Sequence, residues 1–404
     1  MFHYHYLTII NKTFFLILII LLVLPFCSSA HYIVGIVNDA HDGEIANDHE
    51  VVLWNPLNGI QDNLTDIIGI NGNSNADHIY MFDCEQLSTP CEIDDELKIK
   101  VYDTGNGYLS KNISVIVTGA GYDTAENITL NSPPAILSLS VDDDLIFPLN
   151  QIDLFAASTR NVTCEVIIEE YDGDSLFNII AEFFGEASSF YGDSDDNNTH
   201  YTNNSCYVND SYGTENQSQI LCDFEVEYYA NSESWMCNFT IEDNYSASSD
   251  ESDSTFINQL LSIEVNSSFD FGKVDSLLVS NESIMNITNM GNTKINISLL
   301  GYAINEGDDF AMNCSNNQNI SIDYLRYNLT ASTFGELTFG EFNNYYLNLT
   351  GSSVIKNTGL NFRQNDLLNE AVNSTYWRIY VPEGVAGDCQ GNIVISATLG
   401  EESG

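Results

Sequence analysis

Runs of alternating apolar and polar residues recur along the chain, separated by short polar segments rich in Gly, Asn and Asp. The apolar positions of three central runs are Val162, Cys164, Val166 and Ile168; Ile220, Cys222, Phe224 and Val226; and Trp235, Cys237, Phe239 and Ile241. A period of two places alternate side chains on opposite faces of a β-strand. Each run therefore predicts a strand with one buried face and its cysteine on the core side.

The strand-like runs fall into three groups. The first, residues 31–132, contains YIVGIVND, EVVLW, LKIKVYD and ISVIVTG between DG and NG turns. Ser132-Pro133-Pro134 predicts a stiff joint, because tandem prolines cannot continue a sheet. The other modules are residues 135–250 and 255–400, with one short helix predicted between Phe334 and Leu349. The predicted fold class is all-β, with three tandem antiparallel β-sandwiches of the Ig-like or transthyretin-like kind.

The N-terminus carries a short apolar run, FFLILIILLVLPF, at residues 14–26. Such a run is too short to cross a bilayer, which takes about 20 residues, but it is typical of a secretory signal peptide. Ser28-Ser29-Ala30 supplies the small residues of a cleavage site. We therefore expect residues 1–30 to be a cleaved signal peptide, with no transmembrane segment afterwards and an extracellular or cell-surface location. An uncleaved signal anchor is the alternative.

Nine cysteines are present, and cleavage of the signal peptide removes Cys27. An even set of eight in an exported chain predicts disulfides, and metal binding is a poorer interpretation because no CxxC motif occurs. The neighbourhoods of the cysteines favour four pairs: Cys84 with Cys91 around one short loop, Cys164 with Cys237 across two sheets, Cys206 with Cys222 within a hairpin, and Cys314 with Cys389 as the remaining pair.

The composition is strongly acidic. The 404 residues include 11 Lys and Arg against 58 Asp and Glu, which gives a formal net charge of −47. Nucleic acids and anionic membranes are excluded as partners, because binding phosphate requires a basic surface. The chain is not an acidic disordered segment either, since 44% hydrophobic and 11% aromatic residues can build cores.

Asn-x-Ser/Thr sequons are in excess. Nineteen follow residue 30, whereas chance predicts about eight for this composition. In the sequons at residues 112, 127, 238, 286 and 296 the middle residue is apolar, so on a strand the asparagine faces solvent while that residue faces the core. We predict heavy N-glycosylation. The predicted glycosylation sites are Asn63, Asn112, Asn127, Asn161, Asn238, Asn286, Asn296, Asn319, Asn328 and Asn348.

Several segments resemble known surface modules. YIVGIVNDAHDGEIANDHEVVLWNP resembles the opening hairpin of Cna-B or carboxypeptidase-regulatory-type sandwiches. TCEVIIEEYDGD and WMCNFTIEDNYS resemble an archaeal or bacterial Ig-like domain, and FDFGKVDSLLVSNESIMNITNMGNTKINISLLG is similar to further Ig-like domains. A true Ig domain has a tryptophan on the strand between its cysteine-bearing strands, whereas here that stretch reads FNIIAEFF and Trp235 lies instead two residues before Cys237. The resemblance is to archaeal cell-surface glycoproteins and implies no catalytic residues.

No catalytic motif is present: GxSxG, HExxH, a P-loop and a dinucleotide-binding fingerprint are all absent. We therefore predict no cofactor, with calcium as the alternative. Asp193, Asp195 and Asn197 begin like an EF-hand loop, but this loop lacks the glycine at position 6 and the glutamate at position 12. A second set of oxygen donors is Asp172 and Asp174, and a third is Asp142-Asp143-Asp144. Plain acidic turns are the alternative in each case.

Cleavage after Ala30 also makes His31 the first residue of the mature chain. An N-terminal histidine on a secreted sandwich resembles the copper-binding histidine brace of lytic polysaccharide monooxygenases, which uses the α-amine and two imidazoles. The second imidazole would come from His41, His49 or His78.

These observations favour an exported, heavily N-glycosylated and non-enzymatic surface protein with a structural or adhesive role in an envelope layer or an extracellular filament. Its expected partners are other envelope or surface proteins, including copies of itself. The alternative is a secreted carbohydrate-binding module or a metal-dependent polysaccharide-active enzyme. The sequence disfavours it, because the three tryptophans are spread over three modules and only five histidines follow the signal peptide.

Overall fold

The computed structural model describes residues 30–103, 108–141, 150–214, 216–330, 332–333, 335–364 and 371–400. The regular secondary structure of these residues is nearly all strand, so the all-β prediction is confirmed. The chain divides into two compact units. The first unit extends to Ala135 and includes two later segments, Glu170–Phe177 and Glu242–Ser249, each a loop with adjoining strand ends. The second unit comprises Ile136–Glu169, Asn178–Ile241 and Asp250–Gly404.

Eight strands precede the Pro133-Pro134 joint: β1 (Tyr32–Asn38), β2 (Glu50–Trp54), β3 (Asn63–Ile67), β4 (Ile79–Asp83), β5 (Glu96–Val101), β6 (Lys111–Ile116), β7 (Tyr122–Thr124) and β8 (Ile128–Thr129), with a 3₁₀ turn at Cys84–Gln86. One sheet has the order β4-β1-β7, with β8 also pairing with β1, and the other has the order β3-β2-β5-β6. Alternate residues of β1 and β5, including Ile33, Val37, Leu97 and Ile99, are fully buried and contribute to one continuous core.

The next nine strands form two sheets: β9 (Ala135–Val141), β10 (Gln151–Ile152), β11 (Arg160–Glu169), β12 (Leu176–Gly185), β13 (His200–Asn203), β14 (Tyr207–Asn209), β15 (Gln217–Val226), β16 (Ser234–Asp243) and β17 (Ser248–Ile257). The sheet orders are β10-β17-β16-β12-β13 and β14-β15-β11-β9. All twelve residues that the period-two pattern assigns to the core on β11, β15 and β16 are buried, so that prediction is confirmed.

The last eleven strands are β18 (Ile263–Val265), β19 (Ser283–Asn289), β20 (Ile295–Tyr302), β21 (Phe310–Cys314), β22 (Asn319–Ser321), β23 (Leu325–Asn328), β24 (Leu347–Asn348), β25 (Val354–Leu360), β26 (Val372–Ile379), β27 (Cys389–Gln390) and β28 (Asn392–Leu399), with a 3₁₀ turn at Ile322–Tyr324. The sheet orders are β18-β19-β26-β23-β24, β25-β20-β28 and β22-β21-β27. The predicted short helix is present as α1 (Phe339–Tyr345). It begins with a capping box, in which Thr338 and Glu341 satisfy each other's backbone N–H groups.

The sheets are not purely antiparallel. β1 pairs in parallel with β7 and β8, and β10 pairs in parallel with β17. These pairings join segments that are distant along the chain, which a pattern read locally along the sequence does not reveal.

Candidate functional site

A buried lysine and two buried aspartates form an ionic cluster within the first unit. Lys111 is the first residue of β6, and its Nζ lies 2.6 Å from Oδ2 of Asp174 and 3.1 Å from Oδ1 of Asp172. Both aspartates lie in the loop Glu170–Phe177 of the same unit. The backbone N–H of Ser132 donates to Oδ2 of Asp172 at 2.8 Å. The cluster therefore fixes this loop to β6 and to the segment that ends the first set of strands.

Burial changes the protonation of the acids in this cluster. Burial raises the pKa of Glu170 to about 8, and the neighbouring Asp172 carboxylate adds to the rise. Burial likewise raises the pKa of Asp174 to about 7, even though the Lys111 ammonium acts to lower it. For Asp172 burial acts in the same upward direction, but hydrogen bonding with Asp174 and the charge of Lys111 lower its pKa below the ordinary value. The raised pKa values favour the neutral forms of Glu170 and Asp174, and the lowered pKa of Asp172 favours its charged form beside the Lys111 ammonium.

The second loop of the first unit, Glu242–Ser249, is held by hydrogen bonds. Oδ1 of the buried Asp243 accepts from the backbone N–H groups of Tyr245 and Ala247, at 2.7 and 3.0 Å. The N–H of Leu109 donates to the carbonyl oxygen of Tyr245 at 2.8 Å. Burial raises the pKa of Asp243 as well, although the hydrogen bonds from the N–H groups of Ala247 and Tyr245 act to lower it.

The sequence predicted calcium at Asp172 and Asp174, and the structure places the Lys111 ammonium against these carboxylates. An ammonium neutralises a buried carboxylate without a metal, so the cluster has an internal cation. Sequence reasoning missed Lys111, although one signal was available: Lys111 is in phase with Ile113 and Val115 along β6. In the described ranges, no three His, Cys, Asp or Glu side chains are placed to hold a metal ion.

The EF-hand-like segment forms a hydrogen-bonded turn. Oδ2 of Asp193 accepts from Oγ of Ser189 at 3.1 Å and from the N–H of Phe190 at 2.9 Å. Nδ2 of Asn197 donates to the hydroxyl of Tyr229 at 3.4 Å, and Asp195 is exposed. The Asp193 carboxylate and the Asn197 amide, which were predicted to bind calcium, thus hydrogen-bond to protein groups. Calcium binding at this turn stays a prediction. The third set of acids, Asp142-Asp143-Asp144, lies outside the described residues.

The histidines of the copper hypothesis have separate contacts. Nε2 of His31 lies 2.7 Å from Oδ2 of Asp123. The three other candidates contact groups elsewhere: His41 stacks on Tyr171, Nδ1 of His49 lies 2.9 Å from the carbonyl oxygen of Tyr102, and Nδ1 of His78 lies 3.2 Å from that of Val37. None of these contacts joins His31 to a second imidazole.

The cysteines are joined in the four pairs that the sequence favoured, namely Cys84–Cys91, Cys164–Cys237, Cys206–Cys222 and Cys314–Cys389. The second pair links β11 to β16, which belong to different sheets, with 6.5 Å between the Cα atoms. The last pair joins residues directly opposite each other on β21 and β27. In the register of β11 and β15, Cys164 also lies opposite Cys222, so burial and phase alone did not determine the partner.

The sequon asparagines differ in exposure. The exposed ones are Asn63, Asn112, Asn127, Asn161, Asn286, Asn319 and Asn348, whereas Asn238 and Asn328 are half-buried. Asn296 is buried, and its Oδ1 accepts from the N–H of Gly359 at 3.0 Å. The prediction that Asn296 faces solvent is therefore wrong. The reason is that β20 lies between two strands and is covered on both faces, so its residues do not alternate between core and solvent.

Comparisons with known proteins give weak likenesses. No protein-family model matches the sequence, and no curated protein matches it. A variant of the major pilin subunit of Bacillus cereus aligns with a TM-score of 0.28 at 8% identity, over 91% of this chain and 88% of that chain. The chaperone–tip adhesion subunit pre-assembly complex of Acinetobacter baumannii archaic Csu pili aligns with a TM-score of 0.30 at 11% identity, over 64% and 99%. Both TM-scores are below 0.5, so these likenesses carry no argument about partners or activity.

Proposed function

We propose that this chain is an exported, heavily N-glycosylated and non-enzymatic surface protein with a structural or adhesive role. It would act in an envelope layer or an extracellular filament, alongside other surface proteins or further copies of itself. The observation that carries the proposal is the exposure of sequon asparagines, several of them on strands, in sandwiches that each contain one or more disulfides. Disulfides persist in oxidising compartments outside the cytosol.

The acidic surface supports the same proposal. A net charge of −47 keeps a chain soluble and prevents non-specific association, and glycans on exposed strand faces add a hydrated layer without disturbing the core. No helix among the described residues is long and apolar enough to span a membrane. We propose that attachment to a surface comes from partner proteins, from glycans or from the N-terminal segment.

Glycoproteomics with localisation on native cells tests this proposal. We expect the protein in the envelope fraction, with glycans on peptides that contain Asn112, Asn127 and Asn286. The matched internal comparison is the peptide that contains the buried Asn296. An unglycosylated protein found as a free monomer in the medium would contradict the proposed role.

A further inference from the structure

One edge of the last sandwich is an unpaired strand without charge. β28 pairs with β20 on one side in an unbroken register, from Ile295 opposite Leu399 to Tyr302 opposite Asn392. On its other side it has no strand partner among the described residues. Residues 389–400, CQGNIVISATLG, contain no charged residue and no proline. Natural sheets usually protect such edges with charges, prolines or bulges, because an open edge is a template for another strand.

A cleft opens beside this strand. It has a volume of about 1100 Å³ and lies between β28 and the sheet that contains β19, β23 and β26. Ile393 and Ile395 line it from β28, and Met312 lines it from β21. These three side chains are only partly buried although they pack against the core. The core is therefore incompletely filled beside the unpaired edge.

The opposite wall of the cleft is a segment without regular structure, residues 266–276, which we name the strap. Phe269 of the strap packs on Trp377, with 5.9 Å between ring centroids, and on Phe271 at 5.1 Å. Within the described chain the strap pairs with no strand. It narrows the cleft but does not complete the sheet at β28.

The charges around the cleft indicate what kind of strand fits. The charged residues of its lining are Asp270, Asp275, Asp388 and Lys273, so acids outnumber bases. The chain as a whole carries −47, and a second copy would bring the same charge to an already acidic surface. Like charges brought together at an interface cost binding free energy, so a neutral or basic strand is favoured.

We propose that β28 and the adjoining cleft bind an extended strand of another polypeptide, neutral or basic, with apolar side chains at alternate positions. Its backbone would hydrogen-bond to the free edge of β28, and its apolar side chains would enter the cleft beside Ile393 and Ile395. Addition of a strand to a sheet edge draws affinity from the backbone and specificity from pockets for alternate side chains. This proposal rests on the proposed assembly role, for which it names a partner.

Synthetic ten-residue peptides test the proposal on the purified full chain. The probe is KTVTISVTIK, and two matched controls are ETVTISVTIE, which reverses the end charges, and KTSTNSSTNK, which removes the apolar side chains. Binding is measured by fluorescence anisotropy, and amide hydrogen exchange is measured along the chain. We expect the first peptide to bind at least about tenfold more tightly than either control and to slow exchange selectively at residues 392–399.

Two variants locate the site. Ile395→Glu puts a charge into the cleft and should weaken binding about tenfold or more, whereas Ser396→Glu puts the same charge on an exposed position of the same strand and should change it little. Because Ile395→Glu can disturb folding, the exchange measurement on the unaltered chain stands independently.

Three results would overturn the proposal. The first is that no peptide slows amide exchange at residues 392–399. The second is that a small apolar dye slows this exchange as well. The third is that exchange slows as protein concentration rises without peptide, which would assign the edge to a second copy. All of these measurements use purified protein and are independent of glycosylation and localisation in cells. If the peptides fail to bind, the proposed function is therefore still tested separately, by glycoproteomics and localisation on native cells.

Discussion

Nζ of Lys111 lies 2.6 Å from Oδ2 of Asp174, and the two side chains are about nine-tenths buried. The residues are 63 positions apart, so their contact ties a loop between β11 and β12 to a strand of the first sheets. A buried ion pair contributes little net stability compared with apolar residues of the same shape, but removal of one partner leaves an uncompensated buried charge. Breaking the pair should therefore destabilise the fold strongly, even though the intact pair adds little net stability.

Replacing Lys111 with methionine should lower the free energy of unfolding of the first unit by about 3–5 kcal/mol, because Asp172 and Asp174 lose their cation. The matched control is Lys98→Met on the neighbouring strand β5. Lys98 pairs with Glu96 at the surface, so its loss should cost about 0–1 kcal/mol. Urea unfolding of both variants measures the difference. Equal losses would show that the Lys111 cluster behaves like a surface pair.

The pH dependence of stability follows from Glu170 and Asp174, whose pKa values are raised to about 8 and about 7. A carboxyl group with a raised pKa binds its proton more tightly in the folded state, so its contribution is complete below the unfolded pKa near 4.5 and is lost as pH rises to the folded value. Stability should therefore fall between pH 5 and 8, by at most about 1.4 kcal/mol per pH unit for each group.

Thermal unfolding at pH 5, 6, 7 and 8 measures this slope. Glu170→Gln should flatten it, since a glutamine does not titrate, whereas Glu169→Gln at the adjacent, more exposed position should leave it nearly unchanged. Groups with a lowered pKa, such as Asp308 at about 2, change charge below this range. A stability that rises from pH 5 to 8 would refute the assignment.

The four disulfides should differ in how much they contribute to the free energy of unfolding, according to the length of chain that each one closes into a loop. Cys164 and Cys237 are 73 residues apart, and Cys84 and Cys91 are 7 apart. Each disulfide lowers the chain entropy of the unfolded state, which should stabilise the folded state by about 4.4 kcal/mol for the first pair and about 2.4 kcal/mol for the second. Double replacement of each pair by alanine, followed by urea unfolding under oxidising conditions, measures both values. A larger loss for the short loop would contradict the entropic explanation.

The alternation of apolar and polar residues predicted the positions of the strands well, but it predicted less well which strand faces are covered and which distant residues contact them. Trp235 and Ile241 are buried as period two requires, because β16 has one face on the core. The same rule fails at Asn296, since β20 has strands on both sides and cover on both faces. The phase of Lys111 along β6 indicates an inward side chain, but its partners Asp172 and Asp174 belong to a loop about 60 residues later, and local periodicity does not identify such long-range partners.

Glycan occupancy should follow the exposure of each asparagine rather than the presence of the motif. Asn112 is exposed on β6, and its Nδ2 donates to the nearby carbonyl oxygen of Ser110 at 3.2 Å. Asn296 has only 5% of its surface exposed and accepts a hydrogen bond from Gly359. In protein purified from native cells, we expect a glycan mass on the Asn112 peptide and the unmodified mass on the Asn296 peptide.

Substitutions separate the two environments further. Asn112→Gln should remove one glycan and leave the folded core unchanged. Asn296→Gln should leave the total glycan mass unchanged but lower the free energy of unfolding by about 0.5–1.5 kcal/mol, because the buried Asn296 side chain loses its hydrogen bond from the N–H of Gly359. Intact-mass measurement and urea unfolding report the two effects independently. A glycan found on Asn296 would mean that modification precedes folding, and burial in the folded chain would then no longer govern which sequons are occupied.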